Sequence, residues 1–409
     1  MHPWFRRFLS RTRGLVAAQN WFPSHWGFVI QKENMASISA PTVLAEKLVT
    51  PRNSKRAKAV EGLVEIAKTE GPGAKLPGVR ELCEILDVST ATLDRAMKEA
   101  ELRGAIVCEH GRGIFATATV NKRKIAFILG ANVSLSHPSD FWMLLFDAAL
   151  HHAATLGYEL RFYINENDPH VQALTHGDLL RDLKNHRLDG ILLASPRSSD
   201  DIKWTQKWKL PTVVTSSNKA AKHRVGTDRK AAIQKAVKQL ATLGCKRVGL
   251  LGVNKPEESD FYIETLAACG LDYNRAHHWE YSWFAPLVPH KDNWEQFAYN
   301  LVKMTFPKDP PDGLFVTDDV MGRGVLMALL RLGIHPRRDI HLMISANKGS
   351  SVLLPYEDDL ILVENDPSAM AAAALDKLAE ELNSGTVKEP DSWIAPRIRR
   401  GKAYGARQK

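Results

Sequence analysis

The side chains best suited to contact with another molecule lie on one short amphipathic segment, residues 89–103. Four apolar residues recur there at i, i+3, i+4 and i+7, which predicts a helix with a single inward face: Leu93, Ala96, Met97 and Ala100. Ser89 precedes this helix as a predicted N-cap, and Thr90, Thr92 and Arg95 lie on or beside its outward face. Hydroxyl and guanidinium groups at the start of a helix can hydrogen-bond to the base edges and phosphates of DNA.

A second candidate contact follows the helix. Arg112 stands between Gly111 and Gly113, and this triplet separates two apolar runs, 105–108 and 114–117. Two glycines between strand-like runs predict a tight hairpin, and an arginine at its tip can enter the minor groove of DNA.

Two further amphipathic segments precede these residues and predict the scaffold that holds them. Their apolar residues repeat the same helical spacing: Val60, Leu63, Val64 and Ala67, then Val79, Leu82, Cys83 and Leu86. Only residues 87–89 separate the second segment from the third. A three-helix core with such a short turn before a capped helix is the helix-turn-helix arrangement, whose second helix enters the major groove.

Three motifs in this region resemble the winged helix-turn-helix of GntR-type bacterial transcription regulators. They are Leu76-Pro77-Gly78-Val79-Arg80-Glu81-Leu82, then Val88-Ser89 with Thr92-Leu93, then Gly111-Arg112-Gly113-Ile114-Phe115. The resemblance covers about 65 residues and implies DNA contacts from Arg80, Thr92 and Arg112. The chain departs from the family at Gly78, where Ser is usual, and at Thr90, where Arg is usual.

The charge distribution agrees with a DNA-binding N-terminal part. Residues 1–124 contain 20 Lys and Arg against 12 Asp and Glu, which is +8 of the total of +9. We expect residues 1–38 to be a disordered extension, because basic and aromatic residues alternate there without a long apolar run, and Met35 is a possible natural start. Residues 39–118 then form the winged domain, and residues 119–124 form a polar, basic linker.

From Lys124 onward, short apolar runs alternate with amphipathic segments. The pattern predicts strands at 125–129, 160–164, 190–194, 211–215, 247–252, 313–317 and 340–344. It predicts helices at 141–156, 179–185, 228–243, 260–269, 293–305 and 320–332. Such alternation is typical of parallel sheets covered by helices on both faces. We therefore predict an α/β chain, with the small winged domain followed by two doubly wound lobes over residues 125–400 and a basic tail at 401–409.

Residue types and spacing give no support for catalysis or for a metal. The chain has no Gly-rich phosphate loop, its four cysteines form no CxxC pair, and His151-His152 and His277-His278 are adjacent pairs that diverge on a helix or strand. Asp318-Asp319 follow a predicted strand, where doubly wound folds bind ligands. We expect them to accept hydrogen bonds from a ligand rather than to act as a catalytic dyad, and we expect no cofactor.

A second resemblance covers roughly residues 124–400, to the effector-binding half of LacI-type repressors. It is carried by residues 314–326, by Leu332-Gly333-Ile334 and Asp339-Ile340, and by Gly157-Tyr158, Asp189-Gly190-Ile191, Val225-Gly226-Thr227-Asp228 and residues 243–248. It implies a periplasmic-binding-protein fold with two lobes, three crossover strands and a ligand in the cleft between the lobes. It also implies ligand contacts from Phe141, Pro196, Arg197, Asp228 and Asp318.

Two departures from this family affect the expected ligand. Asn347 stands where an acid is usual, and the arginine usual at the start of the 260–269 helix is replaced by Glu257, Glu258, Ser259 and Asp260. We expect a neutral, hydroxyl-rich ligand, most plausibly a sugar, held by Asp318, Asp228, Arg197 and Asn347 and stacked on Phe141 or Trp142. The alternative for Asp228 and Asp318 is that they only cap the helices that follow them.

The sequence therefore predicts a cytoplasmic, homodimeric transcription regulator that binds double-stranded operator DNA and responds to a small carbohydrate effector, acting as a repressor. The arrangement resembles arabinose-repressor-type regulators. The alternatives are a solute-binding protein of a transport system, which the winged domain disfavours, and an enzyme, for which no catalytic set is present. No membrane partner is expected.

Overall fold

The computed structural model describes residues 54–130, 140–164, 177–196, 198–253, 256–284 and 294–405. The predicted extension at residues 1–38 lies outside this range, as do Arg197 and residues 406–409 of the predicted tail. Among the residues described, none of the helices has the length and apolar character needed to span a lipid bilayer.

The first part of the described chain is a three-helix core with a hairpin. Its elements are α1 (Lys55–Glu70), α2 (Val79–Leu86), α3 (Thr90–Leu102), β1 (Ile106–Glu109) and β2 (Gly113–Ala116). The strands β1 and β2 pair antiparallel. Leu63, Leu82 and Leu93, one from each helix, are fully buried together, as the predicted stripes require. Val79 is an exception at 37% exposure, because α2 turns its stripe inward only from Leu82 onward.

Residues 124–227 build the first lobe, with the strands and helices alternating. The elements are β3 (Lys124–Leu129), α4 (Phe141–Thr155), β4 (Glu159–Ile164), α5 (Gly177–Lys184), β5 (Gly190–Ala194), α6 (Ser199–Gln206), β6 (Thr212–Thr215) and β7 (Arg224–Thr227). They form a parallel sheet in the order β13-β7-β6-β5-β3-β4, in which β13 comes from near the C-terminus. The strands β3 and β5 are buried along their whole length, which explains their unbroken apolar runs.

The second lobe follows. It contains α7 (Arg229–Thr242), β8 (Val248–Gly252), α8 (Pro256–Ala268), β9 (His278–Glu280), α9 (Tyr281–Phe284), α10 (Trp294–Thr305), β10 (Gly313–Val316), α11 (Asp319–Leu332), β11 (His341–Asn347) and β12 (Ile361–Asn365). The last elements are α12 (Pro367–Ser384), β13 (Asp391–Ile394), β14 (Arg397–Arg400) and α13 (Lys402–Gly405). The second sheet has the order β14-β12-β11-β10-β8-β9, with only β14 antiparallel to its neighbour.

The chain passes between the lobes three times. It leaves the first sheet after β7 and enters α7, whose Val237 and Leu240 pack in the second lobe. It returns after β12 through α12, whose Leu375 packs against α4 of the first lobe. It crosses again between β13, which pairs with β7, and β14, which pairs with β12. The two-lobed, doubly wound architecture and the three crossover strands are therefore as expected.

Several elements differ from the sequence prediction. The structure adds α6, β7, β9 and α9, and also every element from β12 to α13. The strands β13 and β14 lie at or near sheet edges and have polar sequences, DSWI and RIRR, so no apolar run marked them. Part of the predicted linker packs within the winged core, where Val120 is buried, and Tyr404 of the predicted tail approaches His341 with a hydroxyl–ring distance of 3.2 Å.

A close helix contact sets the start of α11, which borders the cleft between the lobes. A Cβ atom added at Gly324 would lie 2.2 Å from the carbonyl oxygen of Glu295 on α10. Beside this contact, Arg323 donates to both carboxylate oxygens of Glu295 at 2.8 and 2.7 Å. Glycine at 324 therefore allows the two helices to approach, and the ion pair fixes their register.

Candidate functional site

The predicted DNA-contacting residues of α3 form one solvent-facing surface. Ser89 caps the helix, as predicted, by accepting from the amide of Thr92 at 3.4 Å, and its hydroxyl lies 3.0 Å from the Thr92 hydroxyl. Thr90, Arg95 and Lys98 are exposed, whereas Thr92 is half-buried beside the cap. The start of α3 therefore presents short hydroxyls beside one guanidinium, with Lys98 one turn further along.

Arg112 is at the tip of the hairpin, as the glycine spacing predicts. Gly113 has φ +123°, a conformation that favours glycine, so the turn depends on this residue. The Arg112 guanidinium is 5.8 Å from the Phe115 ring centroid and forms an ion pair with Glu109. Arg80 is exposed near the start of α2. In the absence of DNA, Glu109 therefore partly neutralises the cation that we expect to enter the groove.

Lys124, the first residue of β3, joins the winged domain to the first lobe. Its side chain is buried, at 7% exposure, and its ammonium donates to the carbonyl oxygens of Arg103 at 3.1 Å and Gly104 at 3.2 Å. These carbonyls lie at the C-terminal end of α3, where the helix dipole favours a cation. The Thr117 hydroxyl also donates to the Gly104 carbonyl, at 2.8 Å.

The other side of this contact is anchored in the first sheet. The Lys124 amide donates to the Asp189 carboxylate at 2.7 Å, and the Asp189 amide donates to the Lys124 carbonyl at 2.8 Å. Burial lowers the pKa of the Lys124 ammonium, although nearby Glu159 and Asp189 act in the opposite direction. The sequence suggested only a basic linker here, because nothing in the local pattern shows that this lysine folds back onto α3.

Between the lobes lies a cleft of about 800 Å³. Six of the predicted ligand residues line it: Phe141, Trp142, Pro196, Asp228, Asp318 and Asn347. The remaining predicted ligand residue, Arg197, lies outside the described residues. The carboxyl ends of the parallel strands of both sheets meet at this cleft, which is why residues from distant parts of the chain come together.

Both predicted aspartates cap helices. Asp228 accepts from the Ala231 amide at 2.8 Å at the start of α7, and Asp318 accepts from the Met321 amide at 3.0 Å at the start of α11. The capping alternative is therefore correct for one oxygen of each residue. It does not exclude ligand contact, because a carboxylate has a second oxygen and both residues line the cleft.

Asp319 is the second acid of the pair that the sequence analysis expects to accept hydrogen bonds from a ligand. It is only 2% exposed and lines the cleft. Asn347 donates to its Oδ2 atom at 3.1 Å, whereas its Oδ1 atom has no hydrogen-bond partner among the described residues. Asn347 stands where the LacI-type repressors that the sequence resembles usually have an acid, and its amide orients the Asp319 carboxylate. Burial and the neighbouring Asp319 charge raise the pKa of Asp318 to about 7, and burial also raises the pKa of Asp319.

A guanidinium reaches the cleft from an unexpected helix. Arg229, the first residue of α7, donates to the Glu258 carboxylate at 2.5 Å. Glu258 is only 5% exposed, and both residues line the cleft. The arginine that the resemblance leads one to expect at the start of α8 is therefore replaced by an acid, and the arginine of this ion pair comes from α7.

Aromatic side chains form much of the remaining wall. Phe141 and Trp142 of α4 are in an edge-on arrangement with ring centroids 4.7 Å apart. Phe261, Trp294 and Trp393 also line the cleft. Across the lobes, Asp140 accepts from the Ser350 hydroxyl at 3.2 Å and from the Ser351 amide at 3.1 Å. The cleft thus combines hydrogen-bonding groups with aromatic faces, as small-ligand sites do.

Comparison with protein-family models gives two matches. Residues 61–116 match the bacterial regulatory proteins of the gntR family, and residues 237–403 match the periplasmic binding protein-like domain. The chain joins a gntR-type DNA-binding domain to a periplasmic-binding-protein-like domain. It therefore has the domain composition of a DNA-binding transcription regulator. A comparison with curated protein sequences gives no significant match.

Solved structures of LacI-type regulators share the fold. A regulatory protein of the LacI family from Chloroflexus aggregans is 16% identical, with a TM-score of 0.55 over 68% of this chain and 98% of that chain. The Escherichia coli transcriptional repressor ascG is 18% identical, with a TM-score of 0.53 over 69% and 99% of the two chains. The transcriptional regulator CelR in complex with cellobiose is 16% identical, with a TM-score of 0.56 over 84% of this chain and 99% of that chain.

The gntR-type surface generates a prediction about the three arginines. Arg80→Ala and Arg112→Ala should weaken binding to every duplex and lower the salt slope by about 1 each, because both side chains are expected to meet phosphate or groove backbone. Arg95→Ala should instead relax discrimination at particular base pairs by about 1–3 kcal/mol. Fluorescence anisotropy of each variant with specific and random duplexes across a salt series measures both effects.

The control for charge is Arg338→Ala, which removes an exposed arginine paired with Asp339 outside the winged domain. This variant should keep the parent salt slope. Unchanged slopes for both Arg80→Ala and Arg112→Ala would remove the assigned contacts.

The acid pair generates a prediction about stability and pH. A carboxyl whose pKa is raised on folding stabilises the protein while it is protonated, and this contribution is lost as the pH rises through the raised value, which is about 7 for Asp318. An amide at position 319 removes one of the two carboxyls with a raised pKa and also the charge that helps to raise the pKa of Asp318. The melting temperature of Asp319→Asn relative to the parent should therefore increase steadily between about pH 5 and pH 8. Differential scanning calorimetry of ligand-free protein measures it, and a pH-independent difference would contradict the shifted pair.

Proposed function

We propose that the protein is a ligand-responsive transcription regulator that binds double-stranded operator DNA as a homodimer and acts as a repressor. The observation that carries the proposal is the presence, in one chain, of an exposed DNA-contacting face on α3 and a polar, aromatic cleft between two lobes. We place it in the bacterial cytoplasm, where operator DNA is found, and assign it no catalytic step.

The effector that best suits this cleft is a small hydroxyl-rich molecule, and we propose a carbohydrate. Asp318, Asp319 and Asn347 offer hydrogen-bonding groups at one place, and Phe141 and Trp142 offer aromatic faces. Carboxylates and amides bind sugar hydroxyls, while aromatic faces pack against the C–H surface of a sugar ring. The similar structure of the transcriptional regulator CelR is a complex with cellobiose, which supports a carbohydrate effector.

The three crossings and Lys124 provide the route by which the ligand acts on DNA binding. A ligand that contacts both lobes favours the closed arrangement, and the crossings act as the hinge. Because the Lys124 ammonium holds the end of α3 against the first lobe, movement of that lobe carries the recognition helix with it. In a dimer, this changes the separation of the two recognition helices and hence the fit to two half-sites.

Exposed apolar side chains support a two-fold dimer through the lobes. Met143 and Leu150 are 57% and 44% exposed on α4, and Met327 and Leu330 are 45% and 70% exposed on α11. In each pair, the helical spacing places both residues on one face of the helix. Apolar faces on two helices are typical of an isologous interface, and a dimer supplies the two winged domains that a pseudo-palindromic operator requires.

The proposed function is tested in two steps. A duplex enriched by the full chain from a random pool is first used to measure affinity by anisotropy. A library of mono- and disaccharides is then screened for an increase in melting temperature, since a ligand stabilises the state that it binds. We expect at least one stabilising carbohydrate to weaken duplex binding. Failure to enrich any duplex would refute the regulator, and carbohydrates without effect on either measurement would refute the effector class.

The dimer generates a separate prediction. The full chain at micromolar concentration should sediment as a dimer, and Leu330→Asp should shift it towards monomer because a buried, unpaired carboxylate is costly at an interface. Ile85→Asp is the matched control, because Ile85 is 55% exposed on α2 of the winged domain and belongs to neither α4 nor α11. A parent chain that sediments as a monomer would contradict the coupling scheme.

A further inference from the structure

The cleft has an excess of acidic groups. Among the described residues that line it, five side chains are carboxylic acids, and two are basic: Asp228, Glu257, Glu258, Asp318 and Asp319 against Arg229 and Lys230. The two bases already have partners, since Arg229 binds Glu258 and the Lys230 ammonium lies 5.0 Å from the Phe261 ring centroid. Among the described residues the remaining acids form no ion pair, although Arg229 and Arg323 are near enough to interact with Asp318 and Asp319.

Buried oxygen atoms without partners concentrate at the same place. In the part of the chain that the structure describes, three cleft-lining side chains have a buried oxygen that makes no hydrogen bond: Thr317 Oγ1, Asp319 Oδ1 and Asn365 Oδ1. Asn365 uses its amide nitrogen to donate to Ser345 at 3.1 Å, and its amide oxygen has no partner among the described residues. Leaving a buried polar group unpaired is costly, and the cost is greater for a carboxylate. The site therefore requires a partner that supplies several donors.

Donor count distinguishes the candidate ligand groups. A hydroxyl brings one donor and also accepts, whereas a protonated primary amine brings three donors and accepts nothing. A cation also offsets the repulsion between Asp318 and Asp319, and it is attracted to aromatic faces such as those of Phe141, Trp142 and Trp294. An ammonium group thus satisfies both the free acceptors and the excess charge, which a neutral sugar leaves uncompensated.

We propose that the effector carries a protonated amino group, which binds at the Asp318–Asp319 pair. This inference rests on the proposed sensor function and narrows its effector from carbohydrates in general to an amino sugar or a similar small polyhydroxylated amine. The hydroxyls of the ligand remain available to Asn347 and Asp228, and its ring to the aromatic wall.

Proton release is a direct consequence of such binding. In the free protein, burial and the charge of Asp319 raise the pKa of Asp318 to about 7, so this carboxyl is partly protonated near neutral pH. An ammonium beside the pair lowers this pKa and expels the proton. A neutral sugar has no charge with which to do so.

The test uses the full chain and matched probes that differ in the amino group. D-Glucosamine, D-galactosamine and 1,4-diaminobutane are compared with D-glucose, D-galactose and 1,4-butanediol, and N-acetyl-D-glucosamine keeps the bulk of the first probe without its charge. Affinity is measured by thermal shift and by titration calorimetry at pH 6.5, where both the amines and the Asp318 carboxyl carry protons, in two buffers that differ in ionisation enthalpy. We expect an amine to bind at least about tenfold more tightly than its hydroxyl analogue, because charged hydrogen bonds add roughly that much.

Asp319→Asn should abolish this preference and the proton release, and Asp178→Asn is a matched control on α5, where the Asp178 carboxylate is exposed and paired with Arg181. Hydroxyl analogues that bind as tightly as the amines would overturn the amino group while leaving a carbohydrate sensor in place. Binding of the diamine without any sugar would support the amino group and remove the carbohydrate. No binding by any probe would overturn the amino-group proposal, whereas operator binding would still test the regulator separately.

Discussion

Because the chain passes between the two sheets three times, neither lobe can form from one continuous segment. The first lobe is completed by α12 and β13, which follow β8–β12 of the second lobe in the sequence. The carboxyl ends of both sheets must then face each other across the crossings. Asp228 and Asp366 cap the helices that begin at two of these crossings, so the hinge is held by side-chain hydrogen bonds as well as by the backbone.

The winged domain depends on a different interaction, the buried ammonium of Lys124. A lysine without a carboxylate at its tip is unusual in a buried position, and here the α3 carbonyls replace water as its acceptors. Strand β3 lies within the first sheet, and Lys124 is its first residue, so this side chain connects the end of α3 to that sheet. The connection between sensor and DNA-binding surface is therefore a packed contact rather than a flexible tether.

Local patterns were sufficient for much of the fold but only for part of the site. Helical spacing identified α1 to α3, and buried apolar runs identified β3, β5 and β8, because each signal lies within one element. The end of the predicted strand at 313–317 then indicated Asp318, and the resemblance to LacI-type repressors indicated Asp228; both residues line the cleft. The Asn347–Asp319 bond and the Arg229–Glu258 pair join residues from separate elements, and no local pattern reports such distances. Lys124 was assigned to a linker for the same reason.

The Lys124 contact predicts that the winged domain and the first lobe move as one body. Backbone 15N relaxation of the deuterated full chain measures it directly, by comparing rotational correlation times for amides in α3 and β5. Equal correlation times in the parent, with a shorter value for α3 amides in Lys124→Met, are expected if the ammonium holds the domains together. A shorter correlation time for α3 amides already in the parent would contradict the account, because the winged domain would then tumble independently.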